Sequence, residues 1–169
     1  MKLTLDRMCI QTGNLCNTCS SRLESGEIGE IDIKVGKTFI NIAKSQKFLA
    51  NITIYSIVET DDAVYVIVNG ADKEKILTAL DFVLQQLATI DNRDYVFIGK
   101  TKNAKKLMED VLGSDFIVGT STVFLPPFSD KELKVQVKKE NKDHLKVPAE
   151  QLSILTTQLL GMNAHYAFV

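Results

Sequence analysis

The three cysteines of this sequence lie within eleven residues near its start, and their spacing is typical of a metal site. Cys16 and Cys19 form a C-x-x-C pair, which lets two thiolates face one ion, and Cys9 lies seven residues earlier, within reach as a third ligand. Thiolate sulfur is a preferred ligand of zinc. An odd number of closely spaced cysteines does not form a disulfide framework. Two alternatives stay open: a redox pair made of Cys16 and Cys19, or three partly buried thiols without a special role.

A cluster of lysines around residue 100 is the second candidate site, and it comprises Lys100, Lys102, Lys105 and Lys106. No acidic residue lies among them. Residues 99–169 carry ten basic and eight acidic side chains, whereas residues 1–98 carry ten and thirteen. Because lysines neutralise the phosphates of nucleic acids, the cluster predicts a nucleic-acid contact. The alternative is an ordinary solvated surface, which is also rich in lysine.

The composition excludes several classes of protein. The chain has 169 residues, 45% of them apolar and 24% charged, and its net charge is −1. These values are typical of a folded globular protein and exclude a histone-like basic protein or an acidic disordered tail. No stretch approaches the roughly 18 consecutive apolar residues of a membrane span. Because the start of the chain lacks the apolar core of a signal peptide, we expect a cytoplasmic protein.

No constellation of side chains indicates an enzyme. The sequence has no phosphate-binding loop signature and no G-x-S-x-G motif. His144 falls in a charged loop and His165 in the last predicted strand, and neither has a nucleophile placed beside it by the sequence. We therefore expect no catalytic activity and no small-molecule substrate.

The apolar periodicity predicts an α+β fold in which the element order α-β-β-α-β occurs twice after a cysteine-containing segment of residues 1–24. In the first unit, residues 25–100, the elements are a helix at 27–48, strands at 51–58 and 63–68, a helical region at 72–88 long enough for two helices, and a strand at 95–98. In the second unit, residues 101–169, they are a helix at 103–112, strands at 116–125 and 133–137 joined by a turn at 128–130, a helix at 147–160 and a strand at 164–169. Each unit is expected to form a three-stranded sheet with helices on one face.

Three segments carry a resemblance to a known family. They are the cysteine-containing start at 9–19 with LE at 23–24 and GEI at 26–28, the strand VGTSTVFLP at 118–126, and the helix from VPAEQL at 147–152 to QLLG at 158–161. With them, the chain resembles the short archaeal NusA-like proteins that carry two type II KH domains after a cysteine cluster. The resemblance implies tandem KH domains, RNA as a partner, and a role beside the transcription machinery in elongation or termination.

The chain departs from the KH pattern at the loop that usually contacts RNA. KH domains use a G-x-x-G loop between two helices to bring the backbone close to nucleotide phosphates. The corresponding segments here, 77–82 and the helix at 149–160, contain no glycine, and Asp81 would face a phosphate. The resemblance therefore leaves two functions open: RNA binding through the lysine cluster, or a protein–protein adaptor on a KH scaffold that no longer binds RNA. A redox or metal-handling role of the cysteines is a third.

The resemblance also implies a ligand set for zinc. The family pattern has a second C-x-x-C pair, and its first position corresponds here to Asp6. Because zinc accepts carboxylate oxygen as well as thiolate, the implied tetrahedral site consists of Asp6, Cys9, Cys16 and Cys19. The segment 1–24 has few apolar residues, so we expect the metal rather than an apolar core to order it.

Overall fold

The structure is a computed structural model that describes residues 1–127 and 130–169. The chain divides into two compact units, residues 1–100 (unit 1) and 101–169 (unit 2). Of the turn expected at 128–130, Phe128 and Ser129 lie outside the described residues. None of the described helices combines the length and the apolar character that a membrane-spanning segment needs.

Unit 1 combines α-helices with a three-stranded sheet. Its elements are α1 (Arg7–Thr12), α2 (Asn17–Glu24), α3 (Glu30–Ser45), a short 3-10 helix (Lys47–Leu49), β1 (Ile54–Glu59), β2 (Ala63–Val68), α4 (Gly70–Thr78), α5 (Leu80–Leu87) and β3 (Asp94–Gly99). The strand order is β1-β2-β3, with β1 and β2 antiparallel and β2 and β3 parallel. A parallel connection needs a crossover, and α4 and α5 provide it.

The core of unit 1 lies between α3 and one face of this sheet. On α3, Val35 and Phe39 repeat at helical spacing and are fully buried. They pack in one cluster with Val64 and Val66 of β2 and Phe97 of β3. The rings of Phe39 and Phe97 meet edge to face with centroids 6.2 Å apart. The periodic apolar residues of α3 therefore fix its position on the sheet.

Unit 2 repeats the strand order and strand directions of unit 1. Its elements are α6 (Ala104–Leu112), a 3-10 helix (Ser114–Phe116), β4 (Ile117–Leu125), β5 (Asp130–Val137), a 3-10 helix (Lys139–His144), α7 (Ala149–Leu160) and β6 (Asn163–Phe168). β4 and β5 are antiparallel, and β5 and β6 are parallel. Along β5, Leu133, Val135 and Val137 are buried in strict alternation with more exposed residues, as expected of a strand with one face in the core.

The α+β class is confirmed, and the structure gives different bounds for two of the predicted helical regions. The helix expected at 27–48 spans only Glu30–Ser45, because the Asp32 carboxylate accepts a hydrogen bond from the N–H of Gly29 at 2.8 Å and so fixes the start. The helical region at 72–88 is broken at Ala79 into α4 and α5. In unit 2, by contrast, α7 is one unbroken helix.

The N-terminal segment is more ordered than its composition predicts. It forms α1 and α2, and a second apolar cluster joins Leu5, Ile10 and Cys19 to Ile28 and Ile40. We expect the segment to lack an apolar core of its own, and its buried side chains do pack on residues outside it, namely Ile28 and, on α3, Ile40. The segment is also tied to β1, since the N–H of Lys2 donates to the carbonyl of Ile52 at 2.9 Å and its carbonyl accepts from the N–H of Ile54 at 2.8 Å.

Gly36 sets how closely α1 approaches α3. A Cβ at this position would lie 2.7 Å from the Cδ1 of Ile10. We expect Gly36→Val to displace Ile10 and to lower the free energy of unfolding by about 1–3 kcal/mol, the usual cost of overpacking. Urea denaturation checks this, with Gly70→Val as the matched control, because nothing lies within 4 Å of a Cβ at Gly70. Equal stability of the two variants would show that α1 and α3 are not in close contact.

An ion-pair network joins the segment before β3 to the β1–β2 hairpin. The Arg93 guanidinium donates to the Asp91 carboxylate at 2.6 Å and to the Glu59 carboxylate at 2.6 Å. The hydroxyl of Tyr95 donates to Asp91 at 3.1 Å. The hydrogen bond from Arg93 is the main reason why the pKa of Asp91 is lowered. The ion pair between Asp91 and Arg93 therefore stabilises the fold only while Asp91 is ionised.

We expect Asp91→Asn to lower the free energy of unfolding by about 1 kcal/mol at pH 7, a modest value because the pair is partly exposed. The pKa of Asp91 is lower in the folded than in the unfolded chain. Its contribution is therefore complete above about pH 4 and is lost as the pH falls through the folded-state pKa. Urea denaturation at pH 7 and pH 3 should show the difference from wild type shrinking at acid pH. Asp61→Asn, an exposed carboxylate of the same hairpin, is the control and should change little at either pH.

Candidate functional site

The structure brings the three cysteines together. Cys9 lies on α1, Cys16 directly precedes α2, and Cys19 lies in the first turn of α2. Their sulfur atoms all lie within 4.8 Å of one another. Cys9 and Cys19 are buried and Cys16 is exposed. The three thiols can therefore hold a metal ion at the surface of unit 1.

Two backbone features produce this convergence. Gly13 ends α1 in the left-handed conformation at φ 74°, and its N–H donates to the carbonyl of Cys9 at 3.0 Å, so the chain reverses direction after α1. The backbone after this turn lies against Cys9, and the N–H of Cys16 donates a hydrogen bond to the sulfur of Cys9 at 3.3 Å. The thiols are positioned by the turn and need little further movement to share an ion.

The distances fit a tetrahedral zinc ion. Zinc–sulfur bonds of about 2.3 Å at tetrahedral angles place two sulfurs roughly 3.8 Å apart. The observed separations, all at or below 4.8 Å, need a closure of no more than about 1 Å to reach that geometry. The donor set of three soft sulfurs also suits zinc chemically.

The thiols differ in how readily they lose a proton. The pKa of Cys16 is lowered, mainly by the N–H of Cys19 at the start of α2 and further by the neighbouring thiols. At Cys9 the N–H of Cys16 favours the thiolate, but burial and the other two thiols outweigh it, and the pKa is raised. The lowered pKa of Cys16 and the raised pKa of Cys9 therefore favour the thiolate at Cys16 over the thiolate at Cys9.

Asp6 lies outside the group of ligand atoms. Its Oδ1 accepts hydrogen bonds from the N–H of Met8 at 2.8 Å and from the N–H of Cys9 at 3.4 Å. The carboxylate thus caps the start of α1, where backbone N–H groups lack helical partners. Within residues 1–127 and 130–169, the metal-ligating group contains three thiols and no carboxylate. The structure brings Cys9, Cys16 and Cys19 together and leaves the fourth predicted ligand in a capping role.

The lysine cluster is divided between the two units. In unit 2, Lys102, Lys105 and Lys106 are exposed around the first turn of α6, which contains no acidic residue. The side chain of Asn103 caps the helix by accepting from the N–H of Lys106 at 3.1 Å. The partial positive charge of a helix N-terminus adds to that of the three ammonium groups. Lys105 also lies 3.8 Å from Glu109, one turn further along α6.

Lys100 belongs to unit 1 and has an aromatic neighbour. Its ammonium nitrogen lies 4.0 Å from the centre of the Tyr55 ring on β1, within the range of a cation–π contact. Tyr55 is 38% exposed. No pattern in the sequence selects Tyr55, because only the sheet brings β1 close to the residue that follows β3.

A cavity of about 310 Å³ in unit 2 is a further feature that the sequence did not indicate. It lies between the end of α6, the turn at Phe116 and the segment 144–147. His144 and Lys146 are among its lining residues. Because the contributing segments are about thirty residues apart, no local pattern marks the cavity.

Comparisons with known proteins bear on the fold alone. No protein-family model matches the chain, and no curated protein matches it. Among 59 matching chains of solved structures is the crystal structure of APE1850, with a TM-score of 0.52 and 10% sequence identity. The match covers 78% of this chain and 95% of APE1850. The chain therefore resembles that structure in fold.

Proposed function

We propose that the protein is a non-catalytic RNA-binding protein of the NusA-like KH type, which contacts single-stranded RNA and acts beside the transcription machinery. The observation that carries the proposal is the start of α6. Three exposed lysines surround a helix N-terminus there, with no acid in the first turn. Both the charges and the helix dipole favour phosphate oxygens.

The interruption between α4 and α5 supports KH descent. The resemblance requires two helices with a short loop between them in the first unit, and the chain breaks its helix at Ala79, inside the segment 77–82 where that loop is expected. The segment lacks glycine, and Asp81 is exposed directly after the break. Such a loop repels phosphate, so the proposal assigns phosphate contact to the lysines of α6. The unbroken α7 departs from the pattern in unit 2.

Filter binding of wild-type protein to a single-stranded RNA tests the proposal. We expect saturable binding at low salt that weakens as the salt concentration rises, because bound lysines release counterions from the RNA. Absence of binding at low salt would contradict RNA binding.

We further propose that the cysteine cluster binds zinc as a structural ion. Cys9 and Cys19 are buried in the apolar cluster that joins the segment to α3. A metal at these sulfurs therefore clamps α1 to α2 beside that cluster. Bound zinc would supply a cross-link between the two helices through the three thiols, and the exposed Cys16 would be the ligand nearest to solvent.

A protein–protein adaptor is the second candidate function. The feature that favours it is Met8, which is 64% exposed and lies on the groove that passes the three cysteines. Flexible, exposed methionines are common at protein-binding surfaces. Wild-type protein that fails to bind RNA at low salt would favour this function over the first.

A further inference from the structure

The cavity of unit 2 has the size of a small-ligand pocket. Its volume of about 310 Å³ lies at the lower end of the range in which proteins bind small molecules or single groups of larger ones. It is enclosed by the C-terminal end of α6, by the 3-10 helix that follows, and by the segment that leads into α7. All of these elements belong to unit 2.

The lining of the cavity suits a ligand that combines a flat ring with an attached anionic group. Val111, Leu145 and Val147 supply aliphatic walls, and the aromatic ring of Phe116 is half-buried. Lys146 and His144 are exposed at its edge, and no acidic side chain is among the described residues that line it. Aromatic and aliphatic surfaces bind unstacked bases, and a lysine ammonium or an imidazole N–H beside them can donate to the attached phosphate.

Hydrogen bonds and turn geometry hold two walls of the cavity in place. The hydroxyl of Tyr166 on β6 donates to the carbonyl of Val147 at 2.8 Å, which ties the segment before α7 to the sheet. On the other side, Gly113 turns the chain with φ 93°, and a Cβ there would lie 3.5 Å from the Phe116 ring. The Phe116 ring therefore lies close to the backbone of the turn that ends α6.

The cavity and the lysines of α6 lie on one helix. From Lys106 to Val111 the helix rises about 7.5 Å, at 1.5 Å per residue. Along the helix axis, the cavity therefore lies a short distance from the start of α6, where the lysines are exposed.

We propose that this cavity binds one unstacked nucleotide, with its base against Phe116 and its phosphate beside Lys146 and His144. The inference rests on the proposed RNA-binding function and adds to it a base-binding site away from the α4–α5 loop. The same base-plus-phosphate chemistry has two sources, a nucleotide within an RNA strand or a free mononucleotide, and the experiment separates them.

Photo-cross-linking on the wild-type, full-length protein tests the inference directly. A single-stranded RNA containing 4-thiouridine is bound, irradiated and digested, and the cross-linked peptides are identified by mass spectrometry. We expect cross-links in residues 111–116 or 144–147. Cross-links confined to other segments overturn the inference while the RNA-binding function stands.

Matched variants provide the second readout. We expect Phe116→Leu, which keeps an apolar side chain but removes the aromatic face, to weaken RNA binding by about 5-fold or more. Phe124→Leu is the control, because Phe124 is an aromatic residue of the same unit that is 63% exposed outside the cavity. It should stay within about twofold of wild type. Folded Phe116→Leu protein that binds RNA like wild type would contradict the inference.

A titration with uridine or adenosine monophosphate, followed by NMR, distinguishes the two sources. If wild-type protein binds no RNA but the mononucleotide shifts the methyl signals of Val111 and Val147, the proposed function fails and the nucleotide cavity stands with a free nucleotide as its ligand. If neither RNA nor mononucleotide binds, both fail. Binding of RNA with cross-links in the cavity supports both.

Discussion

Replacing Lys102, Lys105 and Lys106 with glutamate is expected to weaken the binding of single-stranded RNA by roughly 100-fold at low salt and to flatten its salt dependence. Each lysine that neutralises a phosphate contributes about −0.7 to the slope of log K against log salt for a single strand, so three contacts account for a slope change of about 2. The reversed charges also repel the strand. Filter binding at several salt concentrations measures both quantities.

The control is a triple variant with the same change in net charge at another place. Lys34, Lys37 and Lys44 are exposed on α3, and their replacement with glutamate likewise removes three positive charges and adds three negative ones. If only net charge matters, both triple variants lose affinity equally, and the assignment to α6 is wrong. We expect the α3 variant to retain most of the affinity and nearly all of the slope, because position as well as charge determines a phosphate contact.

Purified protein is expected to contain about one zinc per chain, and Cys16→Ser is expected to reduce this below a tenth of an equivalent. Serine is a suitable test because Cys16 occupies the N-cap of α2, a position that serine fills well. Loss of zinc from this variant then reports loss of a ligand rather than loss of the helix. Elemental analysis measures the metal, and circular dichroism checks the fold. Wild-type protein with less than a tenth of an equivalent would contradict the zinc assignment.

Asp6 distinguishes a capping group from a ligand. Asparagine caps a helix about as well as aspartate, so Asp6→Asn should keep both the stability and the zinc. Asp6→Ala removes the cap and should lower the free energy of unfolding by about 1 kcal/mol while the zinc stays bound. Zinc loss from Asp6→Asn would show instead that the Asp6 carboxylate is the fourth ligand.

The sequence predicts those parts of the fold in which the pattern is local. Val35 and Phe39 repeat every four residues and lie in the core, and the alternation from Leu133 to Val137 marks β5. The C-x-x-C spacing likewise predicts that Cys16 and Cys19 lie together, since Cys16 is the N-cap of α2 and Cys19 lies in its first turn.

Features that depend on distant contacts could not be predicted in the same way. The order of the N-terminal segment depends on Ile40, thirty residues after Ile10. The role of Asp6 depends on where α1 begins, which the sparse apolar pattern before residue 24 does not show. The cavity beside Phe116 exists only because β4, β5 and the segment before α7 return the chain to the end of α6.

The backbone pairing of Lys2 with the start of β1 connects the cysteine-containing segment to the edge of the sheet. The amide proton of Ile54 is donated to the carbonyl of Lys2, so its exchange with solvent deuterium requires residue 2 to detach from the sheet edge. The thiol segment is continuous with that residue and follows it by only a few positions. The exchange rate of this one amide therefore reports whether residue 2 is bound at the sheet edge, and a change in that rate on adding a chelator would link this contact to metal binding by the thiols.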